Sequence, residues 1–438
     1  RTYVTGVLLH CACVAVAATN VTQEISPASV VSNAMAHSRD LRAARQDVDA
    51  AVAVAGQAGA AVLPSLDVRA AAARYSGLTD SALGAITIPA IEDRYSVSAG
   101  ISQPLFTGGR MAQQRKAARL TRKAAESRLQ GTEADITLQA LSAYWDWSKA
   151  HHATDALKAG VERMEAHAND TRNLLAAGMA TENDSLSTDV LLDQTRLRLQ
   201  ESLDAARAAR VRLRYLAGME LGDDAMPVKP AKLIEPNLEP VETMIAKAVK
   251  NRPEPETARA EADAAASRSA GTKAEFYPQV QLGARYEQSQ PNQFNFPPEA
   301  ELTDDLFVGV TATWTILDWG LTRNRVREAE ARRQQAELRH ENTLELVRLE
   351  VEEARIALQN AVEKEKVATR AEQSAARNLQ VVENMWTNGL ARHSEVLDAQ
   401  GLLTETQYQL IVVRADGCLA KAVMQRAMGH SMAQQTGP

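Results

Sequence analysis

Aromatic side chains are scarce: Phe, Trp and Tyr together make up 4% of the 438 residues. A globular core of that length ordinarily draws on more large residues, whereas alanine-rich, aromatic-poor sequence suits helices packed closely along their length. Cysteine is scarcer still, with three in all. Cys11 and Cys13 lie near the start, which leaves Cys418 alone; one thiol cannot close an internal disulfide and reads as a small buried hydrophobe. Long apolar runs are missing too. A mean hydropathy of −0.29 excludes a bundle of apolar membrane-spanning helices. There is no phosphate loop, no G-x-S-x-G and no zinc signature, so neither an enzyme nor a cofactor is expected. Excess positive charge is absent: the net charge is −6, which argues against nucleic acid as a partner.

What is present describes a folded, exported chain. Apolar residues are 45% and charged residues 24%, as in ordinary folded proteins. Arg1 precedes an apolar run from Val4 to Ala18, and Ala15-Val16-Ala17 has the small-x-small pattern of a signal peptidase site. Residues 1–18 are therefore expected to be a signal peptide. A lipoprotein signal at Cys11 or Cys13 is the competing reading, although His10 and Cys11 suit it poorly.

The remainder is a duplication. Glycines 109, 178 and 218 have counterparts at 320, 389 and 429, each 211 residues on. Leu105-Phe106-Thr107-Gly108-Gly109 answers Ile316-Leu317-Asp318-Trp319-Gly320, and Leu63-Pro64 answers Tyr277-Pro278 at an offset of 214. Units of about 200 residues are too long for a solenoid repeat. Residues 19–217 form the first repeat and 242–430 the second. Residues 218–241 join them, with Pro227, Pro230, Pro236 and Pro240 forbidding a continuous helix. Residues 431–438 are a tail.

Both repeats read in one order. A helix comes first, Val30 to Val62 or Val241 to Glu275, followed by two short alternating segments. A very long helix then runs to Gly178 or Gly389, and a shorter one to Gly218 or Gly429. Thr107–Ala177 and Gly320–Asn388 contain no proline, so each spans about 100 Å. Leu344, Val347, Val351, Ala354, Leu358 and Ala361 follow 3-4 spacing, the mark of a coiled-coil seam. Strands are expected near 65–75, 94–104, 279–288 and 305–315. Tyr95, Val97, Ala99 and Ile101 alternate with Ser96, Ser98, Gly100 and Ser102; Leu306, Val308, Val310 and Ala312 alternate with Phe307, Gly309 and Thr311. Such segments have the length of tilted strands crossing a bilayer. Phe106, Phe276, Tyr277, Trp314 and Trp319 gather at one end of the strands and Tyr75, Tyr95 and Tyr286 toward the other, like interfacial girdles. Four strands cannot close a barrel, and open edges are forbidden in lipid. In a membrane the chain must therefore oligomerise.

These landmarks resemble the TolC-like outer-membrane factors of efflux pumps and type I secretion systems. The resemblance rests on Gln103-Pro104-Leu105-Phe106-Thr107-Gly108-Gly109-Arg110, Asn251-Arg252-Pro253-Glu254, Phe276-Tyr277-Pro278-Gln279 and Asn388-Gly389 through Val396-Leu397-Asp398-Ala399-Gln400. It implies a mixed fold of helices and transmembrane strands. Three copies would form a twelve-stranded outer-membrane β-barrel continued by a periplasmic α-barrel. It also implies a passive duct whose partners are the outer-membrane lipid, a periplasmic adaptor and an inner-membrane transporter. Carboxylates just past the turn glycines Gly178 and Gly389 would ring the periplasmic entrance. The matching positions are Glu395 and Asp398, with Asp184 opposite Glu395; Ser187 stands opposite Asp398.

Other signals carry less. His151-His152 suggests metal, but neighbours on a helix point apart and no carboxylate pattern accompanies them, so surface histidines are expected. The basic stretch from Arg110 to Arg128, echoed by Arg323 to Arg333, reads as a solvated face. Tyr144, Trp145 and Trp147 read as packing residues. Two rivals remain: a soluble or periplasmic coiled-coil scaffold, which would not need the paired strands, and a periplasmic adaptor, which the duplication does not fit.

Overall fold

The computed structural model describes residues 24–222, 224–235 and 238–430. The expected signal segment, with Cys11 and Cys13, and the tail lie outside the described residues.

In chain order the first repeat holds β1 (Glu24–Ile25), α1 (Pro27–His37), α2 (Arg39–Ala60), β2 (Ser65–Arg74), β3 (Ser81–Leu83), β4 (Ile86–Ile88), β5 (Asp93–Phe106), α3 (Arg110–Ala176) and α4 (Glu182–Ala217). After the short β6 (Met226–Pro227) come α5 (Val241–Asn251), α6 (Pro253–Lys273), β7 (Gln279–Gln290), β8 (Thr303–Thr313), α7 (Leu321–Thr387) and α8 (His393–Ala427). The two long helices have 67 residues each, about 100 Å. The paired glycines share backbone geometry: φ is 86° and 88° at Gly109 and Gly320, 72° at both Gly178 and Gly389, and 61° and 69° at Gly218 and Gly429. All are left-handed, where a side chain is strained.

The opening helix of each repeat is broken, contrary to the continuous helix expected from the sequence. Ser38 leaves the helical region and its hydroxyl accepts from Leu41 N, capping α2. Arg252 is extended because it precedes Pro253, whose ring disfavours a helical residue before it. The hairpin of β3 and β4 and the parallel pairing of β1 with β6 were not expected either. Both are too short to show a period.

The elements form a single lateral order. Four strands pair antiparallel as β2-β5-β7-β8. On one side of the equator α2 packs on α3, α3 on α6 and α6 on α7; on the other, α4 packs on α3, α3 on α8 and α8 on α7. The long helices α3 and α7 thus run through both halves. Each strand continues a helix of the same rank, so β2 and α2 share one edge with α4, and β8 shares the other with α7. The α7 seam is buried at Val347, Val351, Ala354 and Leu358, then passes to Val362 rather than Ala361. A strict heptad outruns a straight helix by about 20° per repeat, which accounts for that step.

The join between the repeats is tied down at the equator. Tyr144, Ser148 and His152 lie four residues apart along one face of α3. Tyr144 donates to Ile25 O (2.9 Å) and accepts from Val228 N, Ser148 donates to Val228 O, and His152 Nε2 meets Pro227 O at 3.2 Å. Tyr144 and Trp147 are wholly buried beside Val30, Leu41 and Leu213, which fits their expected packing role. Farther along, buried Glu365 of α7 accepts from Leu233 N (2.7 Å) and from Arg414 of α8 (2.9 Å). Cys418 nearby is half-buried, and burial pushes its thiol up to about 11, which makes it a poor nucleophile.

Candidate functional site

The sheet presents two unlike faces. By register, Leu66, Ile101, Ala284 and Val308 stand in one row, and Val68, Ala99, Tyr286 and Leu306 in the next. Leu66, Val68, Val308 and Leu306 are 65–71% exposed on the isolated chain. The opposite face carries the row Arg69, Ser98, Glu287 and Asp305. One face is therefore suited to hydrocarbon and the other to water. The apolar band has an end: Val97 stands beside Gln288, which pairs with Asp304. Phe106, Phe276, Tyr277, Trp314 and Trp319 are exposed at the helix end of the strands, and Trp314 Nε1 donates to Phe276 O at 3.0 Å. Tyr75 and Tyr95 lie at the far end, whereas Tyr286 sits four residues deeper, opposite Ala99.

At the other pole the two helical hairpins turn in the same way. Met179 N donates to Leu174 O and Gly178 N to Leu175 O; Leu390 N donates to Met385 O and Gly389 N to Trp386 O. Both are Schellman closures, which need a left-handed residue where the glycines stand. Two of the three expected entrance carboxylates are helix caps. Asp184 Oδ2 accepts from Thr181 N (3.0 Å) and Thr181 Oγ1 (2.7 Å), while Thr181 Oγ1 accepts from Asp184 N. Those hydrogen bonds hold the Asp184 carboxyl below the usual range. Glu395 Oε2 accepts from Arg392 N at 3.1 Å. Asp398, one turn farther along α8, is exposed and makes no hydrogen bond or ion pair among the described residues.

Sequence reasoning missed the groups between these hairpins. His167 is buried and stacks on His393, with ring centroids 4.8 Å apart and planes 12° apart, and Trp386 lies 5.2 Å from His167. Thr188 donates to Asp184 O and faces His393 Nε2 at 2.7 Å. Burial and the neighbouring His393 press His167 down to about 4, so it is neutral at pH 7. Neither histidine has a histidine 211 residues away, so the internal repeat gave no signal for them.

The discounted signals resolve differently from one another. Part of the basic stretch is paired with acids of its own and adjoining helices: Arg122 with Glu126 (2.8 Å), Lys123 with Glu256 (2.8 Å) and Arg128 with Glu261. The expectation that His151 and His152 stand apart without a carboxylate is corrected. Their ring centroids are 5.2 Å apart, and Asp155 lies with them. One helical turn separates His151 from Asp155, which places the two on one face.

Known proteins now bear on this geometry. Among solved structures, CusC superposes with a TM-score of 0.81 at 18% identity, covering 93% of each chain. VceC of Vibrio cholerae gives 0.76 at 20%, covering 92% of this chain and 96% of its own. The open state of MtrE from Neisseria gonorrhoeae gives 0.79 at 16%, covering 94% and 91%. These likenesses show a shared fold, a helical barrel with a β-barrel. No curated protein matches the sequence significantly. The outer membrane efflux protein profile matches residues 30–219 and 244–430, the two halves of the duplication. No described helix is long and apolar enough to cross a membrane. With most of its length matched in two successive blocks, this chain is an outer-membrane efflux channel protein and belongs to the outer membrane efflux protein family.

Proposed function

We propose that three copies close into one passive duct, the outer-membrane exit of a tripartite efflux pump or a type I secretion system. The observation that carries this reading is the shared lateral order of sheet and helices, which leaves two open edges. In lipid the unpaired backbone of β2 and β8 has no water to bond, so each edge must find a partner strand. A β2 edge meeting the β8 edge of the next copy is a head-to-tail contact, and such contacts form rings when the rotation closes. Three copies of a four-stranded sheet give twelve strands, and the helical layers below add twelve helices at each level. Exposed apolar residues lie along the same edges: Leu338, Leu349, Ile356 and Val367 on α7, Leu186, Val190 and Leu197 on α4, and Val52 and Val54 on α2. The scaffold alternative has no use for this sheet and does not agree with the family.

Substrate would pass from the tip of the hairpins to the exterior. Glu395 and Asp398, with Asp184 beside them, form the entrance ring of this reading, where gathered carboxylates attract cations. A periplasmic adaptor and an inner-membrane transporter dock there and supply the energy. Membrane fractionation with chemical crosslinking tests the proposal. An outer-membrane trimer is expected; a soluble monomer overturns it.

A further inference from the structure

His151, His152 and Asp155 occupy the equator of α3, far from the tip and the sheet. Their ligand atoms lie within 4.8 Å of one another. His152 shows why the group is more than a chance meeting. Its Nε2 lies 3.2 Å from Pro227 O. A carbonyl only accepts, so this nitrogen carries the hydrogen. In the neutral ring Nδ1 is then the lone-pair nitrogen, and it faces Asp155 Oδ2 at 3.5 Å. With the ring neutral, two acceptors face each other, and either a proton on Nδ1 or a metal cation satisfies both. The hydrogen bond to Pro227 O also has the form that orients a metal-ligating imidazole, with one nitrogen donating to a carbonyl and the other free to ligate.

The remaining members fit. His151 is half-buried beside His152, with ring centroids 5.2 Å apart, and its ring offers a ligand nitrogen to the same point. Asp155 has 56% of its side chain exposed and can rotate. Ligands about 2.0–2.2 Å from a common ion stand roughly 3–4 Å apart, so rotation of Asp155 closes the set. Lys158 lies two turns beyond His151 and opposes a cation, whereas the Asp155 carboxylate favours one.

We propose that His151, His152 and Asp155 bind a first-row divalent cation of the Zn²⁺, Cu²⁺ or Ni²⁺ class. Two imidazoles and one carboxylate suit such borderline ions better than Mg²⁺ or Ca²⁺, which prefer all-oxygen sets. Water completes the coordination. The bound ion fixes His152 against Pro227 and so fastens the inter-repeat segment to α3. The stacked His167 and His393 pair at the tip is the competing imidazole site in the fold.

The test is Zn²⁺ titration of the full-length assembled protein in detergent, purified without a histidine tag and competed against a chromophoric chelator. One Zn²⁺ per chain is expected. Asp155→Asn and His151→Gln should each weaken binding about 10- to 100-fold, and His393→Gln should leave it unchanged. Gel filtration establishes that each variant keeps its assembly. With Cu²⁺ as probe, spin resonance should report two nitrogen ligands, falling to one in His151→Gln. Absence of Zn²⁺ uptake, uptake indifferent to both Asp155→Asn and His151→Gln, or loss of uptake in His393→Gln overturns the proposal.

Discussion

At the scale of single residues, the expected entrance carboxylates divide by the work their oxygens already do. Asp184 and Glu395 accept hydrogen bonds from the backbone that starts their helices, whereas Asp398 bonds to no described residue. Asp184→Ala is therefore expected to lose the capping contact and cost about 0.5–1 kcal/mol, while Asp398→Ala should change stability by less than about 0.5 kcal/mol. Thermal unfolding of the two variants checks this difference. For the entrance itself the informative change is Glu395→Gln with Asp398→Asn, because glutamine at the third helical position still accepts from the capping backbone. Planar-bilayer recordings should show lower cation selectivity and weaker block by multivalent cations. If selectivity and block match the parent, these side chains only face bulk water and the entrance assignment is lost. The sequence made the two hairpin turns legible through Gly178 and Gly389, since a Schellman closure needs a left-handed residue at one place. It did not make the caps legible. Nor did it reveal the stack of His167 on His393, whose partners come from helices more than 200 residues apart.

At the scale of elements, period and length read correctly, while breaks and junctions did not. The four strands fall where alternation placed them, because alternation follows directly from a sheet with one apolar and one polar face. The breaks at Ser38 and Arg252 escaped because a single residue leaving the helix hardly disturbs a helical period. The Arg252 break is also where Asn251-Arg252-Pro253-Glu254 does its structural work. The Arg252 side chain is 5% exposed and bonds Glu254 (3.1 Å) and Glu350 of α7. Glu254 also bonds Arg426 of α8, which reaches Asp135 of α3 at 2.6 Å. One network thus ties four helices together. Burial pushes Glu254 up, but hydrogen bonds from Arg252 and Arg426 overrule it and hold the carboxyl at about 2. A carboxyl lowered in the folded state adds stability above its unfolded value, and that stability fades as pH falls toward 2. Glu254→Gln should cost about 2–3 kcal/mol near neutral pH. It should also flatten the acid side of the stability profile, measured by thermal unfolding from pH 6 to pH 3. In the strands, Val310→Arg should cost about 2–4 kcal/mol if Val310 lies near the midplane, and Thr311→Arg much less. Detergent-to-urea unfolding that finds both equally tolerated would count against a lipid-facing row.

At the scale of the whole molecule, the duplication explains why one chain has two unlike edges. Copying a unit of helix, two strands and two helices side by side leaves the first copy's outer elements at one edge and the second copy's at the other. The order α2, α3, α6, α7 below β2, β5, β7, β8 is that duplication laid out in space. Among the described residues the sheet stays open, with β2 and β8 at its edges, and in the proposed assembly neighbouring copies close it. Sequence could show that four strands are too few, but not which edges meet, because the lateral order appears only once the helices are packed. The meeting of β2 with β8 is open to a direct check. In a Cys418→Ala background, a cysteine at Val68 of β2 combined with single cysteines along β8 from Leu306 to Ala312 should give covalent trimers. Since side chains alternate between faces, crosslinking should peak at residues spaced two apart. A Leu349→Asp change on the α7 edge should weaken assembly in detergent without altering the helix content of the chain. Crosslinking that never exceeds dimers, or that shows no two-residue rhythm along β8, would mean that the open edges of this sheet are not joined to one another.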